Sequence, residues 1–370
     1  MSVDPVGHRG PASLVERAPR VRLMRHVVVT GGAGFIGGAI VARLLASGAT
    51  VTIYDNLSSA TTDWAEPFAR HLGASSGSTP RLYFRHGDIL DLAALTETIE
   101  AATDVIHLAA NTDIASGFAD PRLDLEGCVL GTWNVAEAMR RTGVRRLMFA
   151  SSGVVYGQPS CTPTAETYGP MRPASHYAAG KLAGEAIICG FAHLYGWRTL
   201  AFRFGNTVGA RSDHGVVHDF VVKLLRDPSR LEMLGDGRQA KPYIAVDDVA
   251  GAVLHADRTA PDSPFGVFNV ASGGTVTVRR VAELVAEAMG LDPAVVRIEA
   301  QGGDGGWHGD TPLVDFATDA IRELGWRPTL TGEGAVTAAA LGTRARLTTL
   351  GGPLETALER RARPITVAAR

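Results

Sequence analysis

What this 370-residue sequence lacks sets several kinds of protein aside. It has three cysteines, Cys128, Cys161 and Cys189, and no C-x-x-C pair. They cannot build a full disulfide set and have no zinc spacing, so a reducing cytoplasm and no metal site are expected. No apolar run approaches the length of a membrane span. The Arg-, Pro- and Gly-rich residues 1–23 contain no signal-peptide core. They read as a disordered extension or an upstream start, with the fold beginning at Met24. The formal net charge is −2, so no single-signed surface points to nucleic acid or membrane. No internal repeat is visible, and 45% hydrophobic residues allow one large domain or two small ones.

What is present starts with Val27-Val28-Val29-Thr30-Gly31-Gly32-Ala33-Gly34-Phe35-Ile36-Gly37. A β-branched run stops at glycines and an apolar helical pattern follows, which reads as strand, tight turn, helix. Gly31 permits the turn, Gly34 lets backbone approach a pyrophosphate, and Gly37 lets helix pack on strand. The helix end carrying Phe35 and Ile36 offers unpaired N–H groups to phosphate. The next strand, 50–54, stops at Asp55, about 20 positions beyond Gly34, the distance expected of a carboxylate that binds the adenine-side ribose diol. Asn56 opens a loop placed to touch the adenosine. A strand at 81–86 leads to Asp88 and Ile89, read as contacts to the adenine amino group and ring. A helix N-cap is the competing reading for Asp88 or Asp91. A strand at 105–110 ends in Leu108, Ala109 and Ala110, where a cofactor can lie on backbone; His107 within it reads as structural. A helix over 124–142 closed by Gly143, then a strand at 146–150 followed by Ser151 and Ser152, continue the alternation. That alternation predicts an α/β, Rossmann-like, doubly wound parallel sheet with right-handed crossovers.

Tyr177 and Lys181 stand four apart at the start of a helix predicted over 177–189, so they share a face. A phenol has an ordinary pKa of about 10. An ammonium beside it favours phenolate and yields a base usable near neutral pH. Ser152 can orient the same substrate hydroxyl.

In order and spacing this set resembles the extended short-chain dehydrogenase/reductases, and among them the NAD-dependent nucleotide-sugar epimerases and dehydratases of the UDP-glucose 4-epimerase-like kind. The matching residues are 30–37, Asp55-Asn56, Gly87-Asp88, 107–110, Ser151-Ser152 with Tyr156-Gly157, Tyr177 with Lys181, Arg203 with Asn206, 235–237, and Val246 with Asp248. The resemblance implies that Tyr177 takes the proton of a sugar hydroxyl, most often at C4, as hydride passes to NAD. Lys181 would also hold the nicotinamide ribose, and Asn206 would contact the diphosphate. Val216 and Phe220 would wrap the base. Lys241 stands where the family usually has an arginine on the ribose or diphosphate, and Asp310 is counted with the substrate contacts. Dehydratases of this kind carry an Asp-Glu pair beside the Ser/Thr; Gly153-Val154 can do neither job, which favours epimerisation of a UDP-hexose or UDP-uronate. A net nucleotide-sugar oxidoreductase and a non-catalytic NAD-binding scaffold are the alternatives.

Departures from the pattern are Cys128 where the family has Asn, Lys241 for Arg, and Gly305 for an arginine that Arg238 or Arg211 would replace. Arg211 and His214 would meet a sugar carboxylate in a uronate epimerase; solvent-facing loop residues are the plainer reading. The implied organisation is an NAD-binding domain over 24–204, to which 244–256 returns, a nucleotide-sugar lobe mainly over 205–340, and a tail over 341–370. The strand at 267–270 is placed with that lobe, and a short helix is read at 354–361. A homodimer through helices 124–142 and 177–191 is also implied.

Overall fold

The computed structural model describes residues 25–60, 64–68, 81–301, 311 and 313–349. In chain order the first part runs β1 (His26–Thr30), α1 (Phe35–Ala46), β2 (Thr50–Asp55), β3 (Leu82–His86), α2 (Leu92–Ile99), β4 (Asp104–His107), α3 (Ile114–Ala119), α4 (Pro121–Asp124), a π-helical turn (Leu125–Leu130), α5 (Gly131–Thr142), β5 (Arg146–Ser152), α6 (His176–Tyr195) and β6 (Arg198–Phe204). The second part runs β7 (Asn206–Val208), α7 (Val216–Arg226), β8 (Arg230–Leu234), β9 (Ala240–Lys241), β10 (Tyr243–Ala245), α8 (Val246–Thr259), β11 (Phe265–Val270), β12 (Val276–Thr277), α9 (Val278–Ala288), β13 (Arg297–Gln301), α10 (Asp319–Glu323) and α11 (Gly332–Thr349).

Among the described residues one parallel seven-stranded sheet has the order β11-β6-β5-β4-β1-β2-β3. Alternation along β1 sends Val27 and Val29 to one face and Val28 to the other, so both faces need cover. One face packs Ile40, Leu44, Val249, Val253 and Trp326 from α1, α8 and the chain after α10. The other packs Val135, Met139, Ile188 and Trp197 from α5, α6 and the turn after α6. The order reverses between β1 and β4, and in such a sheet the carboxyl ends of the strands at that switch are where a ligand crevice is expected.

Local chemistry sets the boundaries. Asp91 and Ser175 accept N–H bonds at the starts of α2 and α6, and left-handed Gly143 and Gly196 end α5 and α6. The helix expected over 124–142 starts earlier, at Pro121, and contains the π turn. The strand expected over 105–110 stops at His107, because its partner β1 stops at Thr30 and turns away at Gly31. Leu108, Ala109 and Ala110 are therefore loop.

Two larger corrections concern the second part. The strand placed with the small lobe is β11, and it pairs with β6 as the edge of the main sheet. The tail expected from 341 is still α11 up to Thr349, whose Ala335, Val336, Ala339 and Ala340 pack into the lobe core with Phe220, Val221, Leu231 and Val285. The stretches 1–24, 302–310 (with Asp310, Gly305 and Trp307) and the helix read at 354–361 lie outside the described residues.

Candidate active site

The glycine turn is built as the sequence requires. Gly31 adopts φ +71°, and a Cβ there would stand 2.6 Å from Ala109 N. A Cβ on Gly37 would stand 2.2 Å from Gly31 O. Gly34 caps α1 in an extended conformation with no side-chain cap and no acidic residue in the first turn. The N–H groups and positive dipole end of α1 are therefore left without a carboxylate from the helix's own first turn. The Phe35 ring meets Gly209 in the loop after β7. Asp55 stands beside the turn: Ala33 N donates to its Oδ2 at 3.0 Å and Leu57 N to its Oδ1 at 2.8 Å. Burial pushes this carboxyl up, against those two hydrogen bonds. Each oxygen retains a lone pair for a ribose hydroxyl. Asn56 Nδ2 donates to Asp88 Oδ2 at 2.9 Å, while the helix cap is Asp91 and not Asp88. Ile89 is buried against Gly131 at the start of α5.

The reacting groups meet where β5 ends. Ser152 is the last residue of β5, and its side chain faces the Tyr177 phenol on α6, where it works against the burial that raises that phenol. One turn on, the buried Lys181 Nζ donates to Ala150 O at 2.8 Å and lies 5.8 Å from the Tyr177 ring centre. Thus Ser152, Tyr177 and Lys181 lie together, but their electrostatics differ from expectation. Burial holds the phenol above its ordinary pKa, with Cys128 and then Asp124 adding to the effect. Burial also lowers Lys181. Spacing alone pointed to an acidified phenol; desolvation outweighs that in this cleft, and the ammonium is turned toward Ala150 O.

Supporting residues fix these groups. Thr132 Oγ1 donates to Cys128 O, so His107 Nε2 donates to Thr132 and the Thr30 hydroxyl to Nδ1. Burial, with the Lys181 charge, pushes His107 down to about 3, so it is a neutral link between β1, β4 and α5. Sequence reasoning missed the buried Arg203–Glu185 pair at 2.7 Å, with Ser151 on Glu185 and Tyr156 on Arg203. Its signal was Glu185 one turn beyond Lys181 on the same helix face. Also missed was Phe316, whose ring covers Gly153 so closely that a Cβ there would lie 1.7 Å from Cζ.

On the lobe side, Asn206 is exposed on β7 and Val216 starts α7 after Gly215, whose φ is +93°. Both line a cavity of about 100 Å³ with Ser212, His214, His218 and Thr343. Phe220 is not at this surface. The spacing of Val217, Phe220, Val221 and Leu224 puts them all on the inner face of α7, and Phe220 is 3% exposed in the lobe core. Lys241 Nζ donates to Thr311 O. Arg238 is solvent-facing beside Asp236, and His214 is paired with Asp213. A larger hollow, about 560 Å³, opens at the opposite ends of the strands. There Arg25 and Arg146 each bridge Asp104 and Asp257, a structural network remote from the crevice.

The cradle that a Cβ would fill, the uncapped α1 end and Asp55 together fit a dinucleotide. The family model described as "NAD dependent epimerase/dehydratase family" matches residues 27–271. The chain is 37% identical over 269 residues to the UDP-glucose 4-epimerase of Mycolicibacterium smegmatis, covering 71% of this chain and 82% of that one. Its fold is similar to a crystal structure of UDP-galactose 4-epimerase, with TM-score 0.75, 35% identity, and 87% and 99% of the two chains covered. It is also similar to the UDP-glucose 4-epimerase of Thermus thermophilus in complex with NAD, with TM-score 0.74, 31% identity, and 86% and 99% covered. Turn, strand ends, helix α6 and these likenesses agree: the chain belongs to the NAD-dependent epimerase/dehydratase family.

Proposed function

We propose that this protein inverts C4 of a UDP-hexose, with NAD held throughout the cycle. The observation that carries the reading is Ser152, Tyr177 and Lys181 gathered at the end of β5, beside the glycine turn, with Phe316 seated on Gly153. Elimination of water would need a further acid and base beside Ser152; Gly153 and Val154 stand there, with the Phe316 ring on Gly153, and oxidation with re-reduction needs only Ser152, Tyr177 and Lys181. The turn Gly31–Gly37, Asp55, Asn56, Asp88 and the loop 108–110 would hold the dinucleotide. When bound, NAD supplies the hydride acceptor and its positive charge.

Ser152 orients the C4 hydroxyl; Tyr177, whose ionisation the positive charge of bound NAD and Lys181 would favour against the burial that raises it, would as phenolate accept that proton as C4 gives up hydride. The keto sugar turns over, C4 regains hydride on its other face, and Tyr177 returns the proton. Proton and hydride both come back, so the net reaction is isomerisation. Asn206, Val216 and Lys241 would take the diphosphate and nucleoside. The protein should retain NAD through purification and convert UDP-galactose with no growth of absorbance at 340 nm. Tyr177→Phe should lower kcat by about 10²–10⁴. Steady NADH accumulation would instead mark a net oxidoreductase.

A homodimer through α5 and α6 is part of the proposal. Leu125, Leu130 and Trp133 are exposed on the π turn and α5, and Leu194 on α6 is 78% exposed. Beside them Ala179, Ala186 and Gly190 leave the outer face of α6 low, and a Cβ on Gly190 would meet nothing within 4 Å.

A further inference from the structure

Behind α6 lies a carboxylate that the reaction above does not use. Asp124, at the end of α4, is 2% exposed. Asn111 Nδ2 donates to its Oδ1 at 2.9 Å, and Oδ2 is buried without a hydrogen-bond partner among the described residues. Gly117 on α3 lies against Oδ2, where a Cβ would stand 2.0 Å away. The π turn carries Cys128 onto the same side. A Cβ on Gly180 would lie 2.7 Å from Cys128 Cβ and 3.3 Å from Asp124 O. Gly180 sits on α6 between Tyr177 and Lys181, so the Asp124–Cys128 turn presses on α6 between the two reacting residues.

We propose that Asp124 is a positioning residue for the reaction: a buried carboxylate, held by Asn111, that steadies the Lys181 ammonium from behind α6. Lys181 needs such a partner, because it is buried and its hydrogen bond to Ala150 goes to a neutral carbonyl. The charged and titratable groups facing this cluster are His176, Tyr177, Lys181 and Glu185 from α6, Cys128 from the π turn, Asp113 from the start of α3 and His107 from β4. Burial lowers Lys181, while Cys128, Asp124 and Glu185 each raise it. Asp124 also raises Tyr177. Removing its charge should therefore move both groups to lower pH.

The sequence makes this measurable, because it contains only three lysines: Lys181, Lys223 and Lys241. The full chain is labelled with ε-¹³C lysine, and the three signals are assigned by Lys→Arg variants and titrated by NMR. In Asp124→Asn the Lys181 midpoint should fall below that of the unsubstituted protein, with Lys223 and Lys241 unmoved. Asn111→Ala, which keeps the carboxyl and removes its anchor, should shift Lys181 in the same direction by less. In parallel, the pH profile of kcat with UDP-galactose should move to lower pH in Asp124→Asn. An unchanged Lys181 midpoint in a folded Asp124→Asn protein overturns the proposal, even if its Tm falls. If that variant does not fold, an unchanged midpoint in Asn111→Ala overturns it. The proposal rests on the epimerase reading only for the kinetic profile. Failure of UDP-galactose turnover by the unsubstituted protein would count against that reading and leave the NMR result standing.

Discussion

Replacing Gly37 by alanine should loosen the hold on the dinucleotide, whereas the same change at the next residue should not. The new Cβ at Gly37 would stand 2.2 Å from Gly31 O and 2.7 Å from Gly32 Cα; for Gly34 the distance to the same oxygen is 3.2 Å. Both obstacles are backbone of the phosphate turn, so the turn must open by about 1 Å, a strain of about 1–3 kcal/mol. If that strain falls on the binding-competent turn, NAD affinity drops about 5- to 150-fold. At Gly38 the added Cβ meets only Phe68 Cζ at 3.7 Å, an ordinary contact. Gly38→Ala should then leave NAD binding alone and raise stability by about 0.5–1 kcal/mol, the usual gain inside a helix. Calorimetric titration of NAD into protein stripped of it, with a thermal melt of each variant, separates the cases. Equal affinity and Tm for Gly37→Ala and the unsubstituted protein, or an equal loss in both variants, would refute the reasoning.

Three further outcomes follow from the same geometry. Gly153→Ser should lose about 1–3 kcal/mol in chemical denaturation because its Cβ strikes Phe316; adding Phe316→Ala should cost less than the sum of the two singles. Glu185→Gln should leave the buried Arg203 charge unpaired and lose about 3–5 kcal/mol, read as a lower midpoint in urea. His107 binds its proton more weakly folded than unfolded, with its pKa lowered from 6.5 to about 3. Its stabilising share is therefore complete above pH 6.5 and is lost on acidification toward 3, at up to about 1.4 kcal/mol per pH unit. Urea midpoints against pH should show that slope, and His107→Asn should flatten it.

The first six strands and the groups at their carboxyl ends were legible because each step has a local cause. β-branched runs stop at glycines, Asp55 follows the second strand, and Tyr177 and Lys181 share a helix face by spacing alone. Which sheet a strand joins is not local. β11 comes after the long excursion of α7 to α8, and its composition does not say that it returns beside β6. α11 hid because its Ala-, Gly- and Thr-rich residues give little contrast between buried and exposed faces. Phe220 was misplaced because the resemblance put a ring at the base, whereas the period of α7 turns it inward. The Tyr177–Lys181 spacing was right, but the sign of the perturbation depends on burial and on Cys128 and Asp124, which spacing does not reveal. Phe316 on Gly153, the Arg203–Glu185 pair and the unpartnered Asp124 oxygen are all products of tertiary packing.

The central claim is that hydride leaves C4 and returns to the same carbon without meeting solvent, while Tyr177 carries only the hydroxyl proton. The direct measurement is conversion of UDP-galactose in D₂O, with C4 of both sugars followed by ¹H NMR. Undiminished protium at C4 of the UDP-glucose formed, at full turnover, is the result expected. Deuterium at that carbon would mean that C4 is deprotonated to solvent, and would contradict the account.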